Sequence, residues 1–404
     1  MRLKLAIRNI TRHRLRSLLS IGMIAGAVIS MIIFRGFSDY SLEALKHIAA
    51  ENQYGHMQIA YNKYWSPGKE SRKEKMFDLA TLSPLKNKFP TIERISGRLS
   101  FFGLASNGDL SVGAKIIGVD TINEPTFSKS MRILSGQFVS GHDAREVMVG
   151  SLLSKQLNVK PGDSITVLTN TVDGIMNAMD LTVSGIYSAG IDEIDGQVIY
   201  LPLNTTQLIL DTPNVDLAVI KFKELTDSEA NVEKINQEAK SLNNDFKART
   251  WRDLAVLFRQ VDKFYGVQNT IIECILLALM FLGILNTVSM TVVERTGEIG
   301  TLRSMGESRK DIIKQFVIES FLIGVMGVII GIISSIFIIQ LIHAAKIMTE
   351  MPGASIPFQI RIHFLYSAVI FSSLLAIVTA VIATLIPAIR ASKMDIVEAL
   401  RKNI

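Results

Sequence analysis

The chain has one cysteine in 404 residues, Cys274, and it lies inside an apolar run, so no intrachain disulfide staples the fold and the thiol reads as packing. Charge is scarce as well: 20% of residues are charged against 48% hydrophobic, with a mean hydropathy of +0.31, which excludes a single soluble domain. No Gly-x4-Gly-Lys-Ser/Thr string occurs, so the chain lacks the backbone cradle for nucleotide phosphates and is not expected to hydrolyse ATP itself. The six histidines, His13, His47, His56, His142, His343 and His363, show no His-x3-His spacing, and no metal site is expected. A Gly-x-Ser-x-Gly nucleophile elbow is also missing. The net charge of +6 does not point to nucleic acid, because no Lys/Arg block interleaved with aromatics lies in the long polar region. No catalytic residues, cofactor-binding residues or enzyme activity are therefore expected.

What is present is apolar sequence in long blocks. Residues 17–34, 274–293, 320–342 and 364–389 are uncharged runs of roughly 18 to 26 residues, the length that spans a bilayer. Arg2, Lys4, Arg8, Arg12, Arg14 and Arg16 precede the first run with no acidic residue, and Leu3, Ala6, Ile7 and Ile10 share a helical face, the pattern of an interfacial helix. The first run is longer than a signal-peptide core and no small-x-small cleavage site follows it, so it is expected to remain as a span. Lys and Arg also gather between the second and third runs and after the fourth, at Arg390, Lys393, Arg401 and Lys402, while only Lys346 and Arg361 mark the third link. The positive-inside rule then places both termini in the cytoplasm and the large polar region on the far side.

The expected architecture is four transmembrane helices with a large α+β extracytoplasmic domain inserted between the first two. The segments are 1–16 as a cytoplasmic amphipathic helix, 17–37 as the first span, 38–268 as the outer domain and 269–293 as the second span. Residues 294–311 form a cytoplasmic connection, 312–342 the third span, 343–362 an outer loop, 363–389 the fourth span and 390–404 a cytoplasmic tail. In the outer domain, residues 112–119, 164–169, 181–186, 197–201 and 217–222 are rich in Val, Ile and Thr between turn residues and predict strands. Residues 225–243 predict a helix capped by Thr226 or Asp227.

The segment 294–306 is charged and caught between two apolar runs. Ile299, Leu302 and Met305 make one apolar stripe, and Glu294 and Glu298 sit i,i+4 on another face. Gly297 and Gly300 each cost roughly 1 kcal/mol against Ala in a helix, which close contact with another surface offsets. Gly306 suits a helix C-terminus, and Ser308 with Asp311 suits the start of the next helix. Gly22-x3-Gly26 and Gly327-x3-Gly331 permit close helix approach, although glycine is common in spanning helices anyway. Arg35, Glu273 and Glu319 stand at run ends and read as interfacial anchors.

One span, a large domain, three spans and Glu-Arg-x-x-Glu-Ile-Gly-x-Leu-Arg-x-x-Gly straight after the second span together resemble the FtsX/MacB/LolCE family of ABC transporter permeases. The opening Leu5-Ala6-Ile7-Arg8-Asn9-Ile10 and the tail, with Pro387, Arg390-Ala391 and Ala399-Leu400-Arg401, are similar too. The resemblance implies a permease that works as a homo- or heterodimer with separate ATPase subunits carrying ATP and Mg, in the bacterial inner membrane. It implies that 294–306 is the helix that docks in an ATPase cleft, involving Glu294, Arg295, Gly297, Glu298, Ile299, Gly300, Leu302, Arg303, Met305 and Gly306. Glu294, Glu298 and Arg303 are its expected polar contacts and Ile299, Leu302 and Met305 its buried stripe.

Gly162-Asp163-Ser164-Ile165, Val183-Ser184-Gly185-Ile186-Tyr187, Glu193-Ile194-Asp195-Gly196 and Trp251-Arg252-Asp253 look most like the lipoprotein-releasing permeases of that family. Those have a porter lobe, here 38–108 with 203–268, and an inserted lobe, here 109–202. They also carry a basic, proline-containing hook that engages a periplasmic lipoprotein carrier. Here residues 170–179 are shorter and lack Arg and Pro, and Ile175, Met176 and Met179 form an apolar tip that can meet a periplasmic partner. An amphiphile leaving the bilayer needs an apolar path, for which Ile32, Ile33, Phe34 and Phe37 are expected to face Phe264, Tyr265, Val267 and Ile271. The alternatives within the family are drug, peptide or toxin export of the MacB kind and activation of a cell-wall hydrolase of the FtsX kind.

Overall fold

A computed structural model describes residues 12, 14–65, 71–122, 124, 131–139, 141, 144–349 and 358–394. The amphipathic helix expected over 1–16 and the tail over 390–404 thus fall largely outside the described residues. In chain order the elements used below are α1 (Arg14–His47), β1 (Met57–Tyr61), α2 (Ser83–Lys88), β2 (Ile92–Ser106), β3 (Ser111–Val119), β4 (Arg132–Gly136), β5 (Glu146–Gly150) and α3 (Ser151–Leu157). These are followed by β6 (Ser164–Asn170), β7 (Met176–Ser188), α4 (Asp192–Gln197), β8 (Val198–Pro202), α5 (Leu203–Leu210), β9 (Leu217–Phe222), α6 (Thr226–Leu242) and β10 (Phe246–Thr250). The last elements are α7 (Val256–Glu294), α8 (Thr296–Ser304), α9 (Arg309–Ala345) and α10 (Tyr366–Ser392). Contacts divide the chain into a helical unit, which takes residues up to Leu42, Asp262–Ile347 and from Gln359 onward, and a sheet unit of Glu43–Val261 with Met348–Phe358.

The helical unit carries the spans. α1, α7, α9 and α10 are each long and apolar enough to cross a membrane. In lipid the packing face needs small side chains rather than oily ones, and α10 supplies them at near-four-residue spacing in buried Ala376, Ala380, Ala383 and Ala388. The two glycine pairs behave differently. A Cβ on Gly327 would lie 2.7 Å from Ile24 Cβ, and one on Gly331 3.0 Å from Val28, so this pair seats α9 against α1. Gly22 and Gly26 are exposed with nothing within 4 Å. We therefore expect Gly327→Val to lower the melting temperature of the detergent-solubilised chain by several degrees, with Gly26→Val within about a degree of wild type. Equal melting of the two variants would refute this assignment.

The sheet unit is built on a ten-stranded sheet of order β10-β1-β9-β2-β3-β8-β5-β7-β4, with β6 pairing both β2 and β7. All five predicted strands are present. β1, β2, β4, β5 and β10 were not legible, β2 because Arg94, Gly97, Arg98 and Gly103 break the alternation that marks a strand. β2 is the spine, antiparallel to β3 (Leu99↔Gly118) on one side and to β9 (Ile95↔Ile220) on the other, and β3 then pairs in parallel with β8 (Ile116↔Ile199). Alternation along these strands puts Leu99, Phe101, Ala114, Ile116, Ile199 and Ile220 into one core, which also takes Val147, Ile165 and Val183.

That core and sheet run through the expected boundary between a porter lobe and an inserted lobe, so 38–108 with 203–268 is not separated from 109–202 as its own compact body. α6 is the predicted helix, but neither Thr226 nor Asp227 caps it; the cap position is Leu225, without a side-chain bond. Residues 170–179 are a β-hairpin rather than a free loop: β6 and β7 pair from Asn170↔Met176 to Ser164↔Thr182, Ile175 and Met176 stand exposed at the turn, and Met179 packs on the core.

Two of the short motifs are structural fastenings. Thr250 and Asp253 form a reciprocal capping box before Trp251. Asp195 is fully buried, accepts from Ala189 N (2.7 Å), Ser151 Oγ (3.3 Å) and Ser188 Oγ, and ties α4 to the start of α3 and the end of β7. Asp195→Ala leaves three buried donors without an acceptor and is expected to destabilise the sheet unit by about 3 kcal/mol, read as a loss of thermal stability with Asp195→Asn losing less. A wild-type melting temperature for the Ala variant would show the network to be incidental.

Candidate functional site

The segment after the second span folds as two helices meeting at a break. α7 continues to Glu294, and Arg295 (φ −94°, ψ 13°) leaves the helical conformation before α8 begins at Thr296. At the other end Gly306 takes φ +96°, Gly306 N donates to Arg303 O (3.2 Å) and Glu307 N donates to Leu302 O (3.1 Å), the paired bonds of a Schellman cap. Ser308 and Asp311 then form the capping box that starts α9. The breaks expected at Gly306 and Ser308 are present, whereas the break at Arg295 had no glycine or proline to announce it.

α8 is fastened to its own chain on one side. Thr296, Gly297, Ile299 and Gly300 are buried, and Ile299 joins a cluster with Val292, Ile312, Phe316, Ala388 and Ala391. This corrects the single apolar stripe: Ile299 is committed to the protein's own helices, Leu302 is half-buried beside the same cluster, and Met305 is 78% exposed. Gly297 and Gly300 lie on this buried side of the helix.

Arg295 is no surface contact. It is 6% exposed, donates from Nη1 to both carboxylate oxygens of Glu319 (3.0 and 3.2 Å) and lies 5.6 Å over the Phe316 ring. Its Nε also reaches Glu298 at 3.1 Å. Glu319, expected as an interfacial anchor, is therefore the buried partner of Arg295, and Gln315 approaches it at 3.4 Å. Arg303 donates from Nη1 to Ser392 O (2.6 Å), satisfying one of the last carbonyls of α10. So α8 is held to α9 through Arg295 and to α10 through Arg303. Glu294 and Glu298 stay exposed and pair with Arg16 and Arg12 of the basic entry to α1. The outward surface of α8 and its flanks consists of Glu294 at the end of α7, Glu298, Thr301 and Ser304 of α8, and Met305 and Gly306 in its C-terminal cap.

The expected apolar path does not assemble as one surface. Ile32 is fully buried in the helical core, with Ile33 and Phe37 packed on that core. Phe34 and Tyr265 are half-buried, while Phe264, Val267 and Ile271 lie on an outward face of α7 continued by Ile275, Leu279 and Leu282. Arg35 and Glu273, expected as separate anchors, instead pair at 2.5 Å and join α1 to α7, with Arg35 4.4 Å over the Phe371 ring. Side chains far apart in sequence meet here, so no spacing rule could have paired them.

Comparison with known proteins agrees with this architecture. Residues 17–241 match the MacB-like periplasmic core domain and residues 270–396 the FtsX-like permease C-terminal domain. The chain is 27% identical over 276 residues to the lipoprotein-releasing system transmembrane protein LolC of Xylella fastidiosa, covering 63% of this chain and 64% of that protein. It is 25% identical over 350 residues to the macrolide export ATP-binding/permease protein MacB of Campylobacter jejuni, covering 83% of this chain and 53% of that one. Each match thus spans less than two-thirds of the relative's length. The crystal structure of the periplasmic region of MacB from Actinobacillus actinomycetemcomitans superposes with a TM-score of 0.37 at 15% identity, over 50% of this chain and 91% of that one.

The fold and the matches define a membrane protein of four long apolar helices with a periplasmic-type α+β domain after the first. It belongs to the FtsX/MacB/LolCE family of ABC transporter permeases.

Proposed function

We propose that the chain is the non-catalytic membrane subunit of a mechanotransmitting transporter of the bacterial inner membrane. Both termini and α8 face the cytoplasm, and separate ATPase subunits supply ATP and Mg. A second copy or a sister permease completes the membrane part. The observation that carries this reading is the two-sided character of α8: it is fastened to α9 and α10 by Arg295 and Arg303, yet it presents Glu294, Glu298 and Met305 outward. A helix so held transmits a push on its outer surface to two spans at once. Membership of the ABC transporter permease family supports assigning the energy source to a partner ATPase.

The substrate we propose is a lipoprotein or other amphiphile taken from the membrane's outer leaflet, supported by the likeness to LolC and by the outward apolar face of α7. The likeness to MacB over most of this chain favours export of an amphipathic drug as the second reading. The tagged full chain, purified in mild detergent from its native membrane, is expected to bring down an ABC ATPase and a second permease subunit. In that complex a triacylated lipopeptide, and not a macrolide, is expected to stimulate ATP hydrolysis. Recovery of the chain alone overturns the proposal, and stimulation by the macrolide alone selects the second reading.

A further inference from the structure

The sheet of the outer domain has a core on one face, and the other face holds a cavity of about 220 Å³. Strand alternation builds it: Leu99, Phe101 and Ile116 point to the core, which turns Arg98 and Ser100 of β2 and Lys115 and Ile117 of β3 to the opposite side. Tyr54, Trp65 and Tyr200 complete the aromatic part of the wall, and Val198 and Leu217 add apolar surface.

The residues lining this cavity include two cations, Arg98 and Lys115, and no acid. Arg98 is 6% exposed, pairs with Glu124 (3.2 Å) and donates to Gln53 O (2.5 Å). Asp216, behind the wall, accepts from Ser100 N (2.7 Å) and lies 3.6 Å from Arg72. Both those cations are matched by carboxylates. Lys115, half-buried on a central strand, makes no hydrogen bond or ion pair among the described residues. Burial lowers its pKa, with Asp216 opposing and Arg98 reinforcing the shift; Glu193, the other acid that acts on it, is exposed. The indole N–H of Trp65 is also buried without an acceptor. Burial and the nearby Asp216 push the Tyr64 phenol up to about 12, and burial raises that of Tyr200, so these hydroxyls remain donors at neutral pH. A half-buried ammonium without an ion pair and a buried indole N–H without an acceptor, on two side chains that line one aromatic-walled cavity, are both stabilised when an acceptor binds there.

We propose that this cavity is a binding site for a small monoanion, a carboxylate carrying one compact apolar or aromatic group, with Lys115 as its counter-ion. One lining cation without a direct ion pair among the described residues selects one negative charge, and the cavity is smaller than the roughly 300 to 1,000 Å³ of drug-sized sites, which limits the body to about one ring. The site lies within the outer domain and is independent of the ATPase surface on α8.

The chain's two tryptophans make the test direct, since Trp65 lines the cavity and Trp251 does not. In the detergent-solubilised full chain carrying Trp251→Phe, benzoate is expected to change Trp65 fluorescence saturably at millimolar concentrations or below. Benzamide and benzylamine are expected to bind at least about tenfold more weakly. Lys115→Met is expected to weaken benzoate by at least about tenfold, corresponding to roughly 1.4 kcal/mol, with Lys115→Arg recovering most of the affinity and both variants melting with the parent. Absence of saturable benzoate binding, equal binding of benzamide, or unchanged benzoate binding by Lys115→Met would each overturn the assignment.

Discussion

Glu319→Ala is expected to abolish ATP hydrolysis coupled to this permease, by at least about tenfold, while the chain still inserts in the membrane. The carboxylate holds Arg295 by two bonds of 3.0 and 3.2 Å where the α7–α8 break meets α9. Without it the guanidinium is buried beside Phe316 with, among the described residues, only the exposed Glu298 as an ionic partner. Breaking a buried pair from one side costs about 3–5 kcal/mol, because the remaining charge is uncompensated. Arg295 then turns toward water and α8 loses its hold on α9. Replacing both partners by methionine removes the stranded charge, so Arg295→Met with Glu319→Met is expected to recover the melting temperature but not the coupling. That difference separates transmission from simple stability. Wild-type coupled activity in Glu319→Ala would remove this pair from the mechanism.

The second large effect is expected on the outer surface of α8. Met305 is 78% exposed and Glu298 is exposed on the same short helix, and neither is needed to bury α8 against its own spans. Met305→Asp combined with Glu298→Gln, whose amide oxygen can still accept from Arg295 Nε, is therefore expected to leave melting nearly unchanged and to weaken association with the ATPase by at least about tenfold, as loss of an apolar anchor and of a contact charge does at an interface. Ile299→Asp is expected to fail differently, by forcing a charge into the cluster with Ile312, Phe316 and Ala388 and lowering stability itself. If the double variant binds its ATPase like wild type, α8 does not dock there and the proposed function loses its main support.

Particular residues show how far the sequence reached. The four spans were legible because crossing a bilayer demands a long uncharged run, a one-dimensional property. The Gly306 cap and the Ser308/Asp311 box were legible for the same reason: each is a bargain among residues within a few positions. The predicted strands were those whose Val, Ile and Thr pattern stands between turn residues. β2 was missed although it is the spine of the sheet, because its arginines and glycines face a cavity and close neighbours rather than following a simple alternation.

What the sequence alone determined was membrane insertion, the placing of a large mixed domain after the first span, and a short charged helix between the second and third. Local composition and spacing carry those properties. Which face of that helix is exposed, why Arg295 and Glu319 are buried, why Ile32 is unavailable to a substrate, and how Lys115 comes to lack a direct ion pair among the described residues beside the pairs Arg98–Glu124 and Arg72–Asp216 were decided only by the tertiary structure. These depend on residues 24 to 144 positions apart being brought within a few ångströms of one another. Burial and charge compensation belong to the assembled environment of a side chain, and no window along the chain contains that environment.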